Sequence, residues 1–176
     1  MKHSIELITK FMFRKTAFCV FIVVAVISVS NIQAADLTTG MSAPDFVFTA
    51  TSTGESQKLS DYKGKPVTLH FWTTWCGPCI RELPLISEFT ESNAGSIAVL
   101  AVNCGERDNT VRLFLSKNNI NLNLVMDKNN SISNLYNINA IPQTWMIDEN
   151  GVIRSIQVGS YSKKGLNRDV AMLLKK

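Results

Sequence analysis

The chain has 176 residues, of which 45% are hydrophobic and 18% are charged, and its formal net charge at pH 7 is +4. This length and composition are typical of one globular domain and exclude an intrinsically disordered chain. After residue 34 the lysines and arginines are scattered, and adjacent basic residues occur only at 163–164 and 175–176. Scattered charges do not form the basic stripe that tracks phosphates, so we expect no nucleic acid among the partners.

Residues 1–34 have the pattern of a secretory signal peptide. Basic side chains precede an apolar run at 17–29, and small and polar residues follow it up to Ala34,. The run is shorter than the roughly 20 apolar residues that a membrane-spanning helix needs. We therefore expect cleavage after Ala34, with an uncleaved anchor over 11–34 as the alternative. Both interpretations place residues 35–176 in an extracytoplasmic (periplasmic) location, where only such an anchor would contact the membrane.

The number of cysteines in the exported part favours a chemically reactive role for them over structural cross-linking. Removing residues 1–34 takes away four basic side chains and one acidic one, which lowers the net charge from +4 to +1. Three cysteines remain: Cys76, Cys79 and Cys104. Disulfides persist outside the cytoplasm, and an odd count leaves at least one thiol unpaired within the molecule.

Apolar runs and helical stretches alternate along the exported part. Strands are predicted at 45–51, 66–72, 96–104, 122–127, 143–148 and 152–158,. Helices are predicted from Pro78 to about Asn93, at 109–119, as a turn at 131–138, and at the end of the chain up to Lys176,. A hairpin turn is expected at 149–151,. This order predicts an α/β domain with a mixed central sheet flanked by helices and an N-terminal β extension.

The segment FWTTWCGPCIRELP, residues 71–84, places two cysteines where a strand gives way to a helix. A structural disulfide between the two cysteines would close a very short loop and stabilise the fold by about 2 kcal/mol. A disulfide that closes a loop of fifteen residues contributes about 3 kcal/mol. A structural zinc site needs four ligands, and the exported part adds only Cys104 and His70 to this pair, so we expect no metal,. As a redox pair, Cys76 lies where unpaired helical N–H groups stabilise a thiolate. We therefore predict that Cys76 attacks and Cys79 resolves, with no cofactor beyond their disulfide.

The residues around the pair have distinct expected roles. Gly77 lets the backbone bend tightly. Pro78 fixes the first helical turn, at a position where the N–H group that proline lacks would have no partner inside the helix,. Trp75, beside the disulfide, is expected to be an exposed apolar contact for substrates. Trp72 and Trp145 lie in predicted strands and are expected in the core,.

Several motifs together resemble the thioredoxin-like superfamily. WCGPC at 75–79 follows an apolar strand, and AIPQT lies far downstream at 140–144. GMSAPDF at 40–46, FWTTWCGPCIRELP at 71–84 and AVNCGE at 101–106 are more specific. They are similar to the TlpA/ResA-type extracytoplasmic thiol-disulfide oxidoreductases.

This resemblance implies a thioredoxin fold over about residues 41–176. It implies a cis peptide bond before Pro142, with the backbone of Ile141 facing Cys76 and pairing with an extended substrate. It also implies a protein-disulfide reductase that receives electrons from a membrane thiol transporter. Its partners would be cysteine-containing extracytoplasmic proteins such as apocytochrome c.

Two ionisable residues near the pair have competing interpretations. Glu82 matches an acidic residue that follows the second cysteine in ResA-type sequences, which implies a proton acceptor during exchange. Its alternative role is to complement the helix dipole in the first turns. His70 stands where thioredoxin has a buried aspartate, so it is either a hydrogen-bonded core residue or a second proton relay that couples the redox equilibrium to pH.

Cys104 ends the strand predicted to lie beside the one that leads to Cys76. We expect it to be buried as an inert small hydrophobic residue. The alternative is a third redox thiol that bridges to Cys76.

Other functions of the same fold stay open at this stage. An oxidant or isomerase would use the same dithiol, since the redox potential is not set by composition. A thiol peroxidase is a further alternative, because APDF at 43–46 and Thr73, three residues before Cys76, resemble part of the peroxiredoxin signature. Leu69 stands where that signature has a proline, and Cys79 would be superfluous to a peroxidase. A non-catalytic binding module is the remaining alternative.

Overall fold

The computed structural model of the protein describes residues 36–51 and 54–175. The strands in chain order are β1 (Val47–Thr49), β2 (Ser56–Lys58), β3 (Val67–Trp72), β4 (Ala98–Cys104), β5 (Leu124–Asp127), β6 (Gln143–Ile147) and β7 (Ile153–Val158). The α-helices are α1 (Gly77–Asn93), α2 (Asp108–Lys117), α3 (Ser131–Leu135) and α4 (Lys163–Leu173), and a 3-10 turn spans Leu59–Tyr62. The predicted signal peptide, residues 1–34, lies outside the described residues.

Five strands form the central sheet in the order β5-β4-β3-β6-β7. β3 is parallel to β4, and β4 is parallel to β5. β6 is antiparallel to both β3 and β7. The predicted mixed sheet is therefore confirmed. All residues of β3 are buried, as expected for a central strand covered on both faces,.

Side chains of β3 alternate between two layers, because successive residues of a strand point to opposite faces. Leu69 and Phe71 pack in a cluster that contains residues of the N-terminal extension and the α3 region: Phe46, Phe48, Leu59, Ile132 and Tyr136. Trp72 lies on the opposite face, in a cluster with residues of α1 and α2. A third cluster joins α1 and α4 over Val99 and Met146. The sheet is thus sandwiched between two layers, as the thioredoxin fold requires.

The N-terminal extension contains a strand that the sequence did not indicate. β1, inside the predicted strand 45–51, pairs antiparallel with β2, and Phe48 lies opposite Gln57. β2 is the short polar stretch Ser-Gln-Lys, which has no apolar alternation from which a strand could be predicted,. Phe46 and Phe48 anchor this extension in the core.

Helix ends follow local capping. Cys76 caps the start of α1, and Ser162 caps α4 by accepting the N–H of Gly165 at 3.1 Å,. Asn119, with φ of +51°, follows the end of α2 in the left-handed conformation that asparagine tolerates,. The last helix ends at Leu173, before the predicted Lys176.

Within residues 36–51 and 54–175, no helix is long and apolar enough to cross a bilayer.

Candidate active site

Cys76 and Cys79 form a disulfide at the junction of β3 and α1, with an S–S distance of 2.09 Å. Cys76 is the N-cap residue, and the backbone N–H of Cys79 donates to its Sγ at 3.2 Å. The first N–H groups of a helix have no partner inside the helix, so one of them is directed at this sulfur. When the disulfide is reduced, the same N–H group stabilises a Cys76 thiolate.

The two sulfurs differ in access. Cys79 is fully buried, with 0% of its surface exposed, and it packs with Trp72 and Leu83 in the core beneath α1. Cys76 keeps 6% of its surface exposed and is followed by exposed Gly77 and Pro78. A partner molecule therefore reaches Cys76 before Cys79.

The segment before β6 lies against the disulfide. The Ile141–Pro142 peptide bond is cis. The carbonyl oxygen of Ile141 is 3.7 Å from Cys76 Sγ. Ile141 is half-buried, whereas Pro142 is buried. A backbone group is thus held beside the accessible sulfur.

The tryptophans divide between the surface and the core. Trp75 is 73% exposed and lies directly before Cys76. Trp72 and Trp145 are buried, which confirms their predicted place in the core. Trp75, Gly77 and Pro78 form the exposed rim around the accessible sulfur.

Glu82 is a buried acid, with 4% of its surface exposed, three residues after Cys79 on α1. Its Oε1 accepts the backbone N–H of Tyr161 at 2.8 Å, while Oε2 is buried and makes no hydrogen bond to the described part of the chain. Burial raises the pKa of this carboxyl, although hydrogen bonds from Tyr161 and Ser160 act in the opposite direction,. The carboxyl can therefore hold a proton at a higher pH than an exposed glutamate.

His70 lies at the centre of β3, on the face beneath α1, and is fully buried. Its Nδ1 is 3.0 Å from Thr144 Oγ1, which belongs to the neighbouring strand β6. Burial lowers the pKa of the ring from 6.5 to about 4,. The ring is neutral at pH 7, so the structure favours the hydrogen-bonded core histidine over a relay that titrates near neutrality.

Cys104 ends β4 and is half-buried rather than fully buried. Its thiol donates to the carbonyl of Val102 at 3.8 Å. Burial raises the pKa of this thiol, and the charge of Asp127 acts in the same direction. Because the thiolate is the reactive form, these surroundings favour an inert Cys104. It is the free cysteine of residues 36–51 and 54–175.

Glu106 shapes the site, although its role was not predicted from the sequence. The carboxylate of Glu106 accepts three hydrogen bonds: from Thr74 N at 2.7 Å, Thr74 Oγ1 at 2.5 Å and Asn103 Nδ2 at 2.7 Å. These bonds tie the loop before Cys76 to the end of β4. The sequence feature that could have indicated it is an acidic residue two positions after the end of a predicted strand, in the AVNCGE motif.

No cluster of three or more histidine, cysteine, aspartate or glutamate side chains able to hold an ion occurs in residues 36–51 and 54–175. The chemistry available at the site is that of the two cysteines and the buried acid.

A thioredoxin fold with a disulfide between a helix N-cap and its first turn, beside a cis-proline segment, defines a thiol-disulfide oxidoreductase. The AhpC/TSA family model matches residues 39–156. The ResA thiol-disulfide oxidoreductase of Geobacillus kaustophilus is 38% identical over 130 residues, which cover 73% of this chain and 74% of that protein. The chain therefore belongs to the AhpC/TSA family and, within it, to the ResA-type thiol-disulfide oxidoreductases.

Two further proteins agree with this placement. The thioredoxin-like protein YneN of Bacillus subtilis is 38% identical over 132 residues, covering 73% of this chain and 76% of that protein. The crystal structure of StoA from Bacillus subtilis has a TM-score of 0.64 and 27% identity, covering 74% of this chain and 98% of StoA. The predicted fold and the predicted class of enzyme are thus confirmed.

Proposed function

We propose that the protein works outside the cytoplasm as a protein-disulfide reductase, with electrons supplied by a membrane thiol transporter. The observation that carries this proposal is the Cys76–Cys79 disulfide, in which one sulfur is accessible and stabilised by a helical N–H group while the other is buried. The similarity to thiol-disulfide oxidoreductases supports the exchange chemistry, and the reducing direction is what the resemblance of the sequence motifs implies. The signal pattern of residues 1–34 supports the extracytoplasmic location.

The reaction proceeds in two exchanges. The Cys76 thiolate of the reduced protein attacks one sulfur of a substrate disulfide, forming a mixed disulfide and releasing the other substrate sulfur as a thiolate. The Cys79 thiolate then attacks Cys76 Sγ, which forms the Cys76–Cys79 disulfide and releases the second substrate sulfur. Two electrons pass to the substrate, and its two thiolates take up protons from water or from the site.

Glu82 is the proton acceptor in this scheme. Cys79 is buried, so its thiol needs a base within the protein before it can attack,. Glu82 follows it by nearly one helical turn on the same helix, and its Oε2 has no hydrogen-bond partner among the described residues. A carboxyl with a raised pKa is suited to exchange a proton with a thiol, because the two pKa values lie closer together.

Substrate chains approach along the cis-proline segment. The Ile141 backbone lies beside Cys76 and is suited to pair with an extended polypeptide, while Pro142 fixes the segment,. Trp75 offers an exposed aromatic surface next to the reacting sulfur,. Gly77 and Pro78 leave the approach to Cys76 free of large side chains.

The substrates that we propose are exported proteins with closely spaced cysteines, such as apocytochrome c before haem attachment. The test uses the reduced protein and an oxidised peptide with a Cys-x-x-Cys-His sequence. We expect peptide thiols to appear together with the Cys76–Cys79 disulfide, and faster than with glutathione disulfide at equal concentration. If the oxidised protein instead takes electrons from the reduced peptide and the reverse reaction is not seen, the protein is an oxidant.

A further inference from the structure

Arg81 is an exposed residue in the second turn of α1, five positions after Cys76. Long helical side chains lean toward the N-terminus of their helix. The Nη1 atom of Arg81 accordingly lies 3.6 Å from the place that a Cβ atom would take on Gly77. Gly77 belongs to the exposed rim around the Cys76 sulfur. A positive charge therefore lies on the α1 side of this rim.

The guanidinium of Arg81 has no counter-ion among the described residues. It makes no hydrogen bond or ion pair within 36–51 and 54–175. By contrast, Arg112, Arg154 and Arg168 each pair with an aspartate at 2.6–2.8 Å. All the N–H donors of the Arg81 guanidinium are therefore available to a ligand. A guanidinium presents them as a planar fork that matches the two oxygens of a carboxylate.

The start of α1 is an unfavourable place for an unpaired cation. The N-terminal end of a helix carries a partial positive charge. The first turn of α1 contains no acidic residue that would offset this charge. Glu82, the next residue of the helix, is buried and has a raised pKa, so its carboxyl is shielded from the surface. An anion bound beside Gly77 would therefore interact favourably with both the helix end and Arg81.

Acidic residues on neighbouring elements do not compensate the charge of Arg81. Glu88, further along α1, pairs with Lys163 at 2.7 Å. The loop at 159–162, which approaches the start of α1, carries no charged side chain. Glu106 lines a groove beside the end of β4, and its carboxylate already accepts three hydrogen bonds. The α1 side of the rim is therefore left with a net positive charge.

Exposure indicates which anion Arg81 meets. Cys76 keeps only 6% of its surface exposed, and the N–H group of Cys79 already donates to its sulfur. Arg81 is exposed, and Gly77 beside it has no side chain that would keep another chain away. The guanidinium therefore faces an arriving polypeptide rather than the sulfur. The side-chain anions of a polypeptide at neutral pH are the carboxylates of aspartate and glutamate.

We infer that Arg81 selects substrates in which an aspartate or glutamate flanks the cysteine that Cys76 attacks. This inference rests on the proposed function and adds the charge of the preferred substrate. The substrate carboxylate pairs with the guanidinium of Arg81 beside Gly77. A basic residue at the same place is repelled, so Arg81 discriminates by attraction and by repulsion.

The test uses the reduced protein and three short peptides with a central cysteine that is activated as a mixed disulfide with 2-thiopyridine. The two residues flanking this cysteine are both glutamate, both glutamine or both lysine, and the remaining residues are uncharged. The Cys76 thiolate attacks the peptide sulfur, which forms a disulfide with the peptide and releases 2-thiopyridine. The rate of this release is followed by absorbance at low ionic strength.

The variant is Arg81→Gln, and its matched control is Lys117→Gln. Lys117 is exposed in the last turn of α2, and its replacement removes the same charge from the surface. α2 begins after the carboxyl end of β4 and leads back to the start of β5, which is parallel to β4. The last turn of α2 therefore lies at the end of the sheet remote from Cys76.

Because the peptides differ in intrinsic reactivity, the quantity compared is the ratio of the glutamate-peptide rate to the glutamine-peptide rate. We expect Arg81→Gln to lower this ratio about threefold, the size of an exposed ion pair. Lys117→Gln keeps the wild-type ratio. In Arg81→Glu the lysine peptide becomes the preferred one, and salt at about 1 M removes these differences.

A ratio that Arg81→Gln leaves unchanged overturns the inference. An equal slowing of all three peptides overturns it as well, because Arg81 then acts on the Cys76 thiolate instead of the substrate. Both results leave the reductase standing. A wild-type protein that releases 2-thiopyridine from none of the peptides overturns the proposed function itself.

Discussion

Replacing Cys76 by serine is expected to abolish exchange with protein disulfides, lowering the rate by on the order of 1,000-fold or more. The serine hydroxyl is not ionised near neutral pH and cannot replace the Cys76 thiolate. In the oxidised protein the Cys79 N–H already donates to Cys76 Sγ at 3.2 Å, and it stabilises the thiolate after reduction. The measurement is the appearance of substrate thiols with the reduced variant. A Cys104→Ser variant is the control, and it keeps the wild-type rate because that thiol is held protonated by burial.

The partner variant separates the roles of the two cysteines. Cys79→Ser is expected to attack the substrate and then stop at the mixed disulfide, because no second sulfur can release it. Mass spectrometry should find the substrate on Cys76. An adduct on Cys79 in the Cys76→Ser variant, with none in Cys79→Ser, would reverse the assignment.

Replacing Glu82 by glutamine is expected to slow exchange by about 100-fold at neutral pH and to flatten its pH dependence. Glutamine keeps an oxygen for the N–H of Tyr161 but neither accepts nor releases a proton,. The measurement is the rate of peptide-disulfide reduction between pH 5 and 9. Glu91→Gln, on an exposed residue of the same helix, is the control. Identical profiles for Glu82→Gln and the wild type would remove Glu82 from the mechanism.

The raised pKa of Glu82 also links the stability of the fold to pH. The folded state binds the proton more tightly than the unfolded state, whose carboxyl has the ordinary pKa of 4.5,. The stabilisation is therefore complete below that pKa and is lost as the pH rises through the higher pKa of the folded state. Urea unfolding of the oxidised proteins should show this decline in the wild type and a smaller one in Glu82→Gln.

The central part of the site could be predicted because it is local in sequence. An apolar strand, the Cys-x-x-Cys spacing and a proline in the first turn lie within residues 67–79. Those features alone place a thiolate at a helix start. The cis-proline segment and the role of Glu82 came from family resemblance, since no local pattern indicates them.

Contacts between distant residues could not be predicted. Glu106 and Thr74 are 32 positions apart, and Tyr161 is 79 positions from Glu82. Cys104 lines a groove together with Ser133 and Asn134 of α3, which lie about 30 positions further along the chain. β2 was missed because a three-residue polar strand has no periodicity. Each of these features is decided by tertiary packing, on which a single sequence carries little information.

The most direct test of the reductase assignment is the reduction potential of the Cys76–Cys79 couple. The protein is equilibrated with dithiothreitol and glutathione buffers, and the thiols are counted by mass after alkylation. We predict a potential of about −250 mV or lower, in the range of dedicated reductases. A potential of about −120 mV, which is typical of enzymes that introduce disulfides, would contradict the account.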